Sequence, residues 1–141
     1  MLGRKKKADP VLDAIKAMQV FSRLPDKEVA ALAKAGREVE HPAGGVIMKQ
    51  GDRGVGFHII LEGSVDVFVG ESTVATLSAG DYFGEIGLID EQPRTATVVA
   101  ATDLKALVIM SWAFRPMLDK HPALARTLLE NMSKRIRENN G

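Results

Sequence analysis

The chain of 141 residues has the length of a single domain, and its 45% apolar and 26% charged residues are typical of a globular protein. It contains no cysteine, which excludes disulfides, thiol nucleophiles and zinc–cysteine sites and fits a reducing compartment. No stretch approaches the roughly 18 uninterrupted apolar residues of a membrane span. We therefore expect a cytoplasmic protein that is not transmembrane.

The first nine residues form a basic segment that we expect to be a disordered tail. Residues 4–7 supply four positive charges, and removing four from the total of +1 leaves about −3 for the chain from Ala8 onward. A slightly acidic body is a poor candidate for binding nucleic acid. We expect the tail at residues 1–9 to be a solvated arm, with contact to an anionic surface as the alternative.

Helical periodicity predicts helices over residues 10–36. The second of them begins after Pro25, carries Asp26 and Glu28 in its first turn, and ends before Gly36. The first has its apolar residues on one side, at Val11, Leu12, Ile15 and Met18.

Residues 37–110 change to an alternation of apolar and polar residues with a period of two. Strands are predicted at 57–62, 65–69, 74–77 and 104–110, the first two joined by the turn EGS. Glycine-rich turns at close intervals predict a small jelly-roll β-barrel over 37–110. The interval from Gly80 to Thr102 carries no predicted strand, and a short helix fits GEIGLI within it.

The pattern is helical again over residues 111–140. Ser111 is the predicted N-cap of one helix, Pro116 is a predicted kink, and Pro122 lies near the start of the last helix. An apolar stripe recurs every four residues, at Leu124, Leu128, Met132 and Ile136. This spacing differs from a heptad, so a coiled-coil dimer is not supported. The predicted fold class is α+β, a jelly-roll barrel flanked by N-terminal helices and a C-terminal lid helix pair.

Two opposite charges stand out within the predicted barrel, Glu85 and Arg94. Glycines at 84 and 87 let the backbone approach a ligand closely, and a helix N-terminus at this point would favour an anion. The guanidinium of Arg94 suits a phosphate, and the carboxylate of Glu85 accepts hydrogen bonds from sugar hydroxyls. The pair therefore indicates a site for a phosphorylated sugar or nucleotide. A structural ion pair between the two residues is the alternative.

The stretch FGEIGLIDEQPRTAT, residues 83–97, resembles the phosphate-binding cassette of the cyclic nucleotide-binding domains. GDRGVGFHIILEGSVDVF resembles the paired strands of that family, and HPALARTLLENMSKRIRE resembles its closing helix. The likeness extends from roughly Phe21 to Asn139, and it implies a single cyclic nucleotide-binding domain over residues 10–141. The matching cassette positions are Phe83, Gly84, Glu85, Ile86, Gly87, Leu88, Pro93, Arg94, Thr95, Ala96 and Thr97.

The resemblance implies a role for each part of the site. Arg94 would pair with the cyclic phosphate, Glu85 would accept from the ribose 2′-hydroxyl, and the amides of Gly87 and Thr95 would donate to the phosphate. The remaining cassette positions, Phe83, Gly84, Ile86, Leu88 and Ala96, would surround the ligand. Val67, Val74 and Leu77 would line the base pocket, with ordinary core packing as the alternative. Ile136, Asn139 and Asn140 would form a lid over the base, with a fraying helix end as the alternative.

The resulting hypothesis is a stand-alone sensor of cAMP, with cGMP close behind, that moves its C-terminal helices on binding and regulates an unknown protein effector in trans. It implies no enzyme activity, no cofactor, no metal and no DNA-binding domain. A ligand-independent interaction domain is one alternative, and a cupin-like metalloenzyme is another. The metalloenzyme is disfavoured because His41, His58 and His121 are widely separated in sequence and none has a second histidine at ligand spacing.

Overall fold

A computed structural model describes residues 9–53, 56–84 and 93–140, with no side-chain description at 139 and 140. Four helices and a short 3₁₀ turn surround eight strands in this part of the chain. The helices are α1 (Pro10–Ala17), α2 (Asp26–Ala35), α3 (Ser111–Lys120) and α4 (Pro122–Asn140), with the 3₁₀ turn at Gln19–Phe21. The strands are β1 (Arg37–His41), β2 (Val46–Met48), β3 (Gly56–Glu62), β4 (Ser64–Val69), β5 (Ser72–Ser78), β6 (Tyr82–Phe83), β7 (Thr97–Ala100) and β8 (Leu104–Met110).

The strands form two antiparallel sheets of four strands each. Their orders are β1-β8-β3-β6 and β2-β7-β4-β5. The α+β class, with a jelly roll between flanking helices, is thereby confirmed. The two sheets pack face to face and, within the described strands, are not closed into a barrel. The predicted barrel is therefore an open sandwich.

Strand β3 lies between two apolar cores, so neither of its faces is exposed to solvent. Ile60 of β3 packs with Val65 and Val98 of the opposite sheet. Phe57 and Ile59 of the same strand point to the other side, where the helices cover them. Both faces of β3 are therefore buried, and its alternation separates two cores instead of core from solvent.

The region between Gly80 and Thr102 corrects the sequence prediction. It contains β6, which pairs with β3, and β7, which lies between β2 and β4. β6 has only two residues, too few for a period-two pattern, and β7 obtains its hydrogen bonds from strands distant in sequence. The predicted helix at GEIGLI lies outside the described residues.

The helices agree with the sequence apart from one terminus. Helix α3 begins at Ser111 itself, and Met110 occupies the N-cap position without a side-chain cap, so the prediction of Ser111 as the N-cap is wrong by one residue. Helix α3 continues through Pro116 to Lys120. None of the described helices has the length and apolar character that a membrane crossing requires.

A buried carboxylate joins the N-terminal helices to the start of α4. Glu28 on α2 is 4% exposed, and its Oε1 accepts a hydrogen bond from the backbone N–H of Leu124 at 2.9 Å. Leu124 lies in the first turn of α4, where backbone N–H groups have no partner within the helix. This bond holds the N-terminal end of α4 against α2.

Candidate functional site

A cavity of about 610 Å³ lies between the second sheet, the end of β6 and helix α4. Its volume falls within the range usual for small-molecule sites, and apolar side chains form much of its wall. The lining residues are Met48, Val67, Val74, Ala75, Leu77, Phe83, Gly84, Arg94, Thr95, Ala96, Val98, Arg135 and Glu138.

The structure brings together the predicted base-pocket residues and all the described cassette residues except Pro93 and Thr97, which do not line the cavity. Both groups line this one cavity: Phe83, Gly84, Arg94, Thr95 and Ala96 from the cassette, and Val67, Val74 and Leu77 from the sheet. Val74 is 56% exposed, so its side chain lines the cavity and does not pack in the core. The predicted roles of Glu85, Ile86, Gly87 and Leu88 concern residues outside the described part.

The predicted lid differs from the helix face that lines the cavity. Ile136 is 57% exposed and is not among the lining residues, whereas Arg135 and Glu138 are. Each step of four residues advances about 40° beyond a full turn of an α-helix, so a residue two steps beyond buried Leu128 has rotated by about 80°. The apolar stripe therefore leaves the core before Ile136. The side chains of Asn139 and Asn140 are not described.

Arg94 is held deep in the wall by three chain segments. The residue is 4% exposed. Its Nη2 donates to the Gly56 carbonyl at 2.9 Å and its Nη1 donates to the Gly84 carbonyl. Its backbone N–H donates to the Asp52 carbonyl at 2.8 Å, and its own carbonyl accepts from Gly51 at 2.9 Å. These contacts give the guanidinium a defined position beside the cavity.

Gly84 is required by this arrangement. Its φ is +94°, in the region that side chains with a Cβ rarely adopt. A Cβ added there would lie 2.8 Å from the Gly56 carbonyl oxygen and 3.4 Å from Nη1 of Arg94. The missing side chain therefore lets the cassette, β3 and Arg94 approach one another.

His58 is a second buried polar residue near the cavity. Its sequence position had suggested only metal binding, which the spacing of the histidines disfavours. Its ring stacks on Phe83, with centroids 4.6 Å apart and planes 11° apart. Burial and the nearby Arg94 lower the pKa of His58 from 6.5 to about 4, against the opposing effect of a hydrogen bond with Gly56. The imidazole is therefore neutral at physiological pH. Its inward position follows from the period of β3, which directs residues 56, 58 and 60 to the same face.

Tyr82 connects the cavity to α4. It is 1% exposed and packs among the aromatic rings of the helical core, while the next residue, Phe83, lines the cavity. Its hydroxyl is hydrogen-bonded by the amide of Asn131. The guanidinium carbon of Arg135 lies 4.6 Å from the centre of the Tyr82 ring, within the range of a cation–π interaction. The two residues of β6 thus contact the helix on one side and the cavity on the other.

Metal-binding chemistry has no support in the part of the chain that the structure describes. That part contains no group of three or more histidine, cysteine, aspartate or glutamate residues placed to hold a metal ion. The polar side chains at the cavity are the guanidinium groups of Arg94 and Arg135, the hydroxyl of Thr95 and the carboxylate of Glu138. The guanidinium groups suit an anion, and the apolar wall suits an apolar group attached to it.

Comparison with known proteins gives a consistent result. The sequence model of the family described as "Cyclic nucleotide-binding domain" matches residues 38–121. A cAMP-dependent protein kinase regulatory subunit from Aspergillus niger is 35% identical over 106 residues, which cover 74% of this chain and 26% of the relative. A cGMP-dependent protein kinase from Toxoplasma gondii is 34% identical over 123 residues, covering 87% of this chain and 12% of the relative.

A solved structure, that of the Thermus thermophilus catabolite activator protein, superposes with a TM-score of 0.77 at 28% identity. The superposition covers 86% of this chain and 59% of that one. Since the family model matches more than half of the chain, the chain belongs to the cyclic nucleotide-binding domain family. It spans about a quarter or less of the length of the two kinase relatives.

Proposed function

We propose that the chain is a cyclic nucleotide sensor that binds its ligand in the 610 Å³ cavity and transmits binding through α4. The observation that carries the proposal is the buried guanidinium of Arg94, held beside an apolar cavity in a member of this family. In this reading the domain acts by binding and not by catalysis, and it needs no cofactor.

The ligand phosphate would meet Arg94 at close range. A cyclic phosphate carries one negative charge, and a desolvated guanidinium with a planar set of donors stabilises such a group by charge-assisted hydrogen bonds. Because the carbonyls of Gly56 and Gly84 already hold the guanidinium, little of its freedom remains to be lost on binding. The proposed contacts to Glu85 and to the amides of Gly87 and Thr95 would orient the ribose and the phosphate.

The base would lie against the sheet. Val67, Val74 and Leu77 supply apolar surface that accommodates either purine. The names of the matched kinases include both a cAMP-dependent and a cGMP-dependent protein. We propose cAMP as the first ligand and cGMP as a close second, with the Thr95 hydroxyl as the group that favours one purine over the other.

The output would pass through β6 to α4. Movement of the cassette on ligand binding would move Phe83, and with it Tyr82 and its contacts with Asn131 and Arg135. Arg135 and Glu138 also line the cavity, so the ligand itself would meet the helix. The ligand can shift α4 only by binding one helix position more tightly than the other. We propose that the shifted helix regulates an effector protein in trans.

Calorimetric titration tests the binding step. We expect saturable binding of cAMP and cGMP, much weaker binding of AMP, and recovery of the cyclic nucleotide unchanged. Absence of saturable binding of either cyclic nucleotide would contradict the sensor and leave the ligand-independent interaction domain. Amide hydrogen exchange tests the output, with a change in protection along α4 expected on binding. Binding without any change in α4 would refute the proposed transmission and retain the site.

A further inference from the structure

A β-turn at residues 49–52 holds the backbone of Arg94. The N–H of Asp52 donates to the carbonyl of Lys49 at 3.1 Å and closes the turn. Gly51, its third residue, has a φ of +90°, which the third position of a type II turn requires. The N–H of Gly51 donates to the Arg94 carbonyl at 2.9 Å, and the Asp52 carbonyl accepts from the Arg94 N–H at 2.8 Å. Both backbone polar groups of Arg94 are therefore bonded to this turn, so the place of the turn sets where the guanidinium side chain begins.

Gln50, the second residue of the turn, fastens it to two other segments of the chain. Its backbone N–H donates to Oγ1 of Thr97, the first residue of β7, at 2.9 Å. Its side-chain Oε1 accepts from the N–H of Gly70 at 2.8 Å, in the connection between β4 and β5. Thr97 is a cassette position that does not line the cavity, and this bond is the contact that its hydroxyl makes instead. Gln50 thus joins the turn to β7 on one side and to the β4–β5 hairpin on the other.

The β4–β5 hairpin carries part of the apolar cavity wall, including Val67 and Val74. A cyclic nucleotide joins its base and its phosphate through one ribose, so the wall and the guanidinium must be correctly spaced to contact both. The bond from Gly70 to Gln50 links this hairpin to the turn that holds Arg94. Gln50 therefore lies where the spacing between the two halves of the proposed site is set.

We propose that Gln50 and Thr97 are positioning residues for Arg94, because they fix the turn at residues 49–52 and thereby the place of the guanidinium relative to the cavity wall. Neither residue lines the cavity, so both would act through Arg94 and not on the ligand itself. The inference rests on the proposed function, since the place of the guanidinium matters for an anionic ligand.

Amide hydrogen exchange of the ligand-free chain, followed by nuclear magnetic resonance, provides the first test. Thr97→Val removes the acceptor of the Gln50 N–H, and Gln50→Leu removes the acceptor of the Gly70 N–H. We expect exchange to become about 2- to 10-fold faster at these amides and also at those of Gly51 and Arg94, which bond the turn to the cassette. If Gly51 and Arg94 exchange in both variants as they do in the parent, the turn is held without these side chains and the positioning role is wrong.

Calorimetric titration of the same variants provides the second test. The affinity for cAMP and for cGMP should fall about 2- to 10-fold in each variant, because both nucleotides present the same phosphate. Thr97→Ser and Gln50→Glu keep the acceptor atoms and should restore most of the affinity. Thr127→Val and Gln19→Leu are the matched controls, since neither residue lines the cavity, and they should bind as the parent does. Unchanged affinity of both Thr97→Val and Gln50→Leu would refute the positioning role while leaving the sensor intact.

A double substitution tests whether the effect passes through the guanidinium. In an Arg94→Lys background the planar donor set is absent, so affinity should depend less on exact placement and Thr97→Val should cost less than it does in the parent. Equal losses in the two backgrounds would overturn the proposal. If the parent binds neither cyclic nucleotide, the proposed function fails, and the exchange rates of Gly51 and Arg94 still decide whether Gln50 and Thr97 hold the turn.

Discussion

Replacing Arg94 by alanine should weaken binding of both cAMP and cGMP by about 2–5 kcal/mol, or roughly 30-fold to several thousand-fold. The magnitude follows from burial: the residue is 4% exposed, so solvent and salt screen its interaction with a phosphate only weakly. The carbonyls of Gly56 and Gly84 also lose their donors, and we expect the free energy of unfolding to fall by about 1–3 kcal/mol. Arg94→Lys keeps the charge without the planar donor set, so its affinity should be intermediate.

Isothermal calorimetry with both nucleotides measures the loss of affinity, and urea unfolding measures the change in stability. Arg126→Ala is the matched control, because this side chain is 82% exposed and its ion pair with Glu130 lies within α4, away from the residues that line the cavity. It should leave affinity unchanged. If Arg94→Ala binds within about twofold of the parent, the guanidinium is not the anion-binding group and the reasoning from its burial is refuted.

Two further predictions concern stability. Glu28→Ala removes one of the two acceptors of the Leu124 N–H, which also donates to the His121 carbonyl at 3.0 Å. The free energy of unfolding in urea denaturation should therefore fall by about 0.5–1.5 kcal/mol, with exposed Glu71→Ala as a control near zero. Equal effects of the two substitutions would contradict a role for Glu28 in anchoring α4. The pKa of His58 is lowered in the folded state, so the unfolded chain binds more protons than the folded chain between about pH 4 and 6.5. His58 should therefore contribute about 3 kcal/mol to the free energy of unfolding at neutral pH, and this contribution should be lost as the pH falls through that range. A stability difference between the parent and His58→Phe that does not change with pH would show that His58 titrates normally.

Much of the candidate site was predictable because the determinants are local. FGEIGLIDEQPRTAT places its glycines and Arg94 at fixed separations within 15 residues of sequence, so they cannot lie far apart. The base-pocket residues Val67 and Leu77 also followed from the resemblance, and both line the cavity. Their roles toward a ligand stay predictions.

The last turns of α4 were harder to predict, because a small rotation along a helix decides which side chains face the cavity. The resemblance implied a lid at Ile136, Asn139 and Asn140, and that role stays a prediction. In the structure Ile136 is exposed, and Arg135 and Glu138 line the cavity. His58 lacked the spacing of a metal ligand, and sequence offered no other reason to select it. Only the tertiary structure shows that its ring is buried and stacks on Phe83.

By itself, the sequence determined the helix–strand–helix order, most of the longer helices and strands, and the cassette motif that indicates an anion site. These depend on residue spacing and on turn chemistry within short segments. The tertiary structure decided that the strands separate into two sheets, that both faces of β3 are buried, and that Arg94 is held by Gly56 across 38 residues of chain. Such contacts depend on which distant segments pack together, and no local pattern specifies that choice.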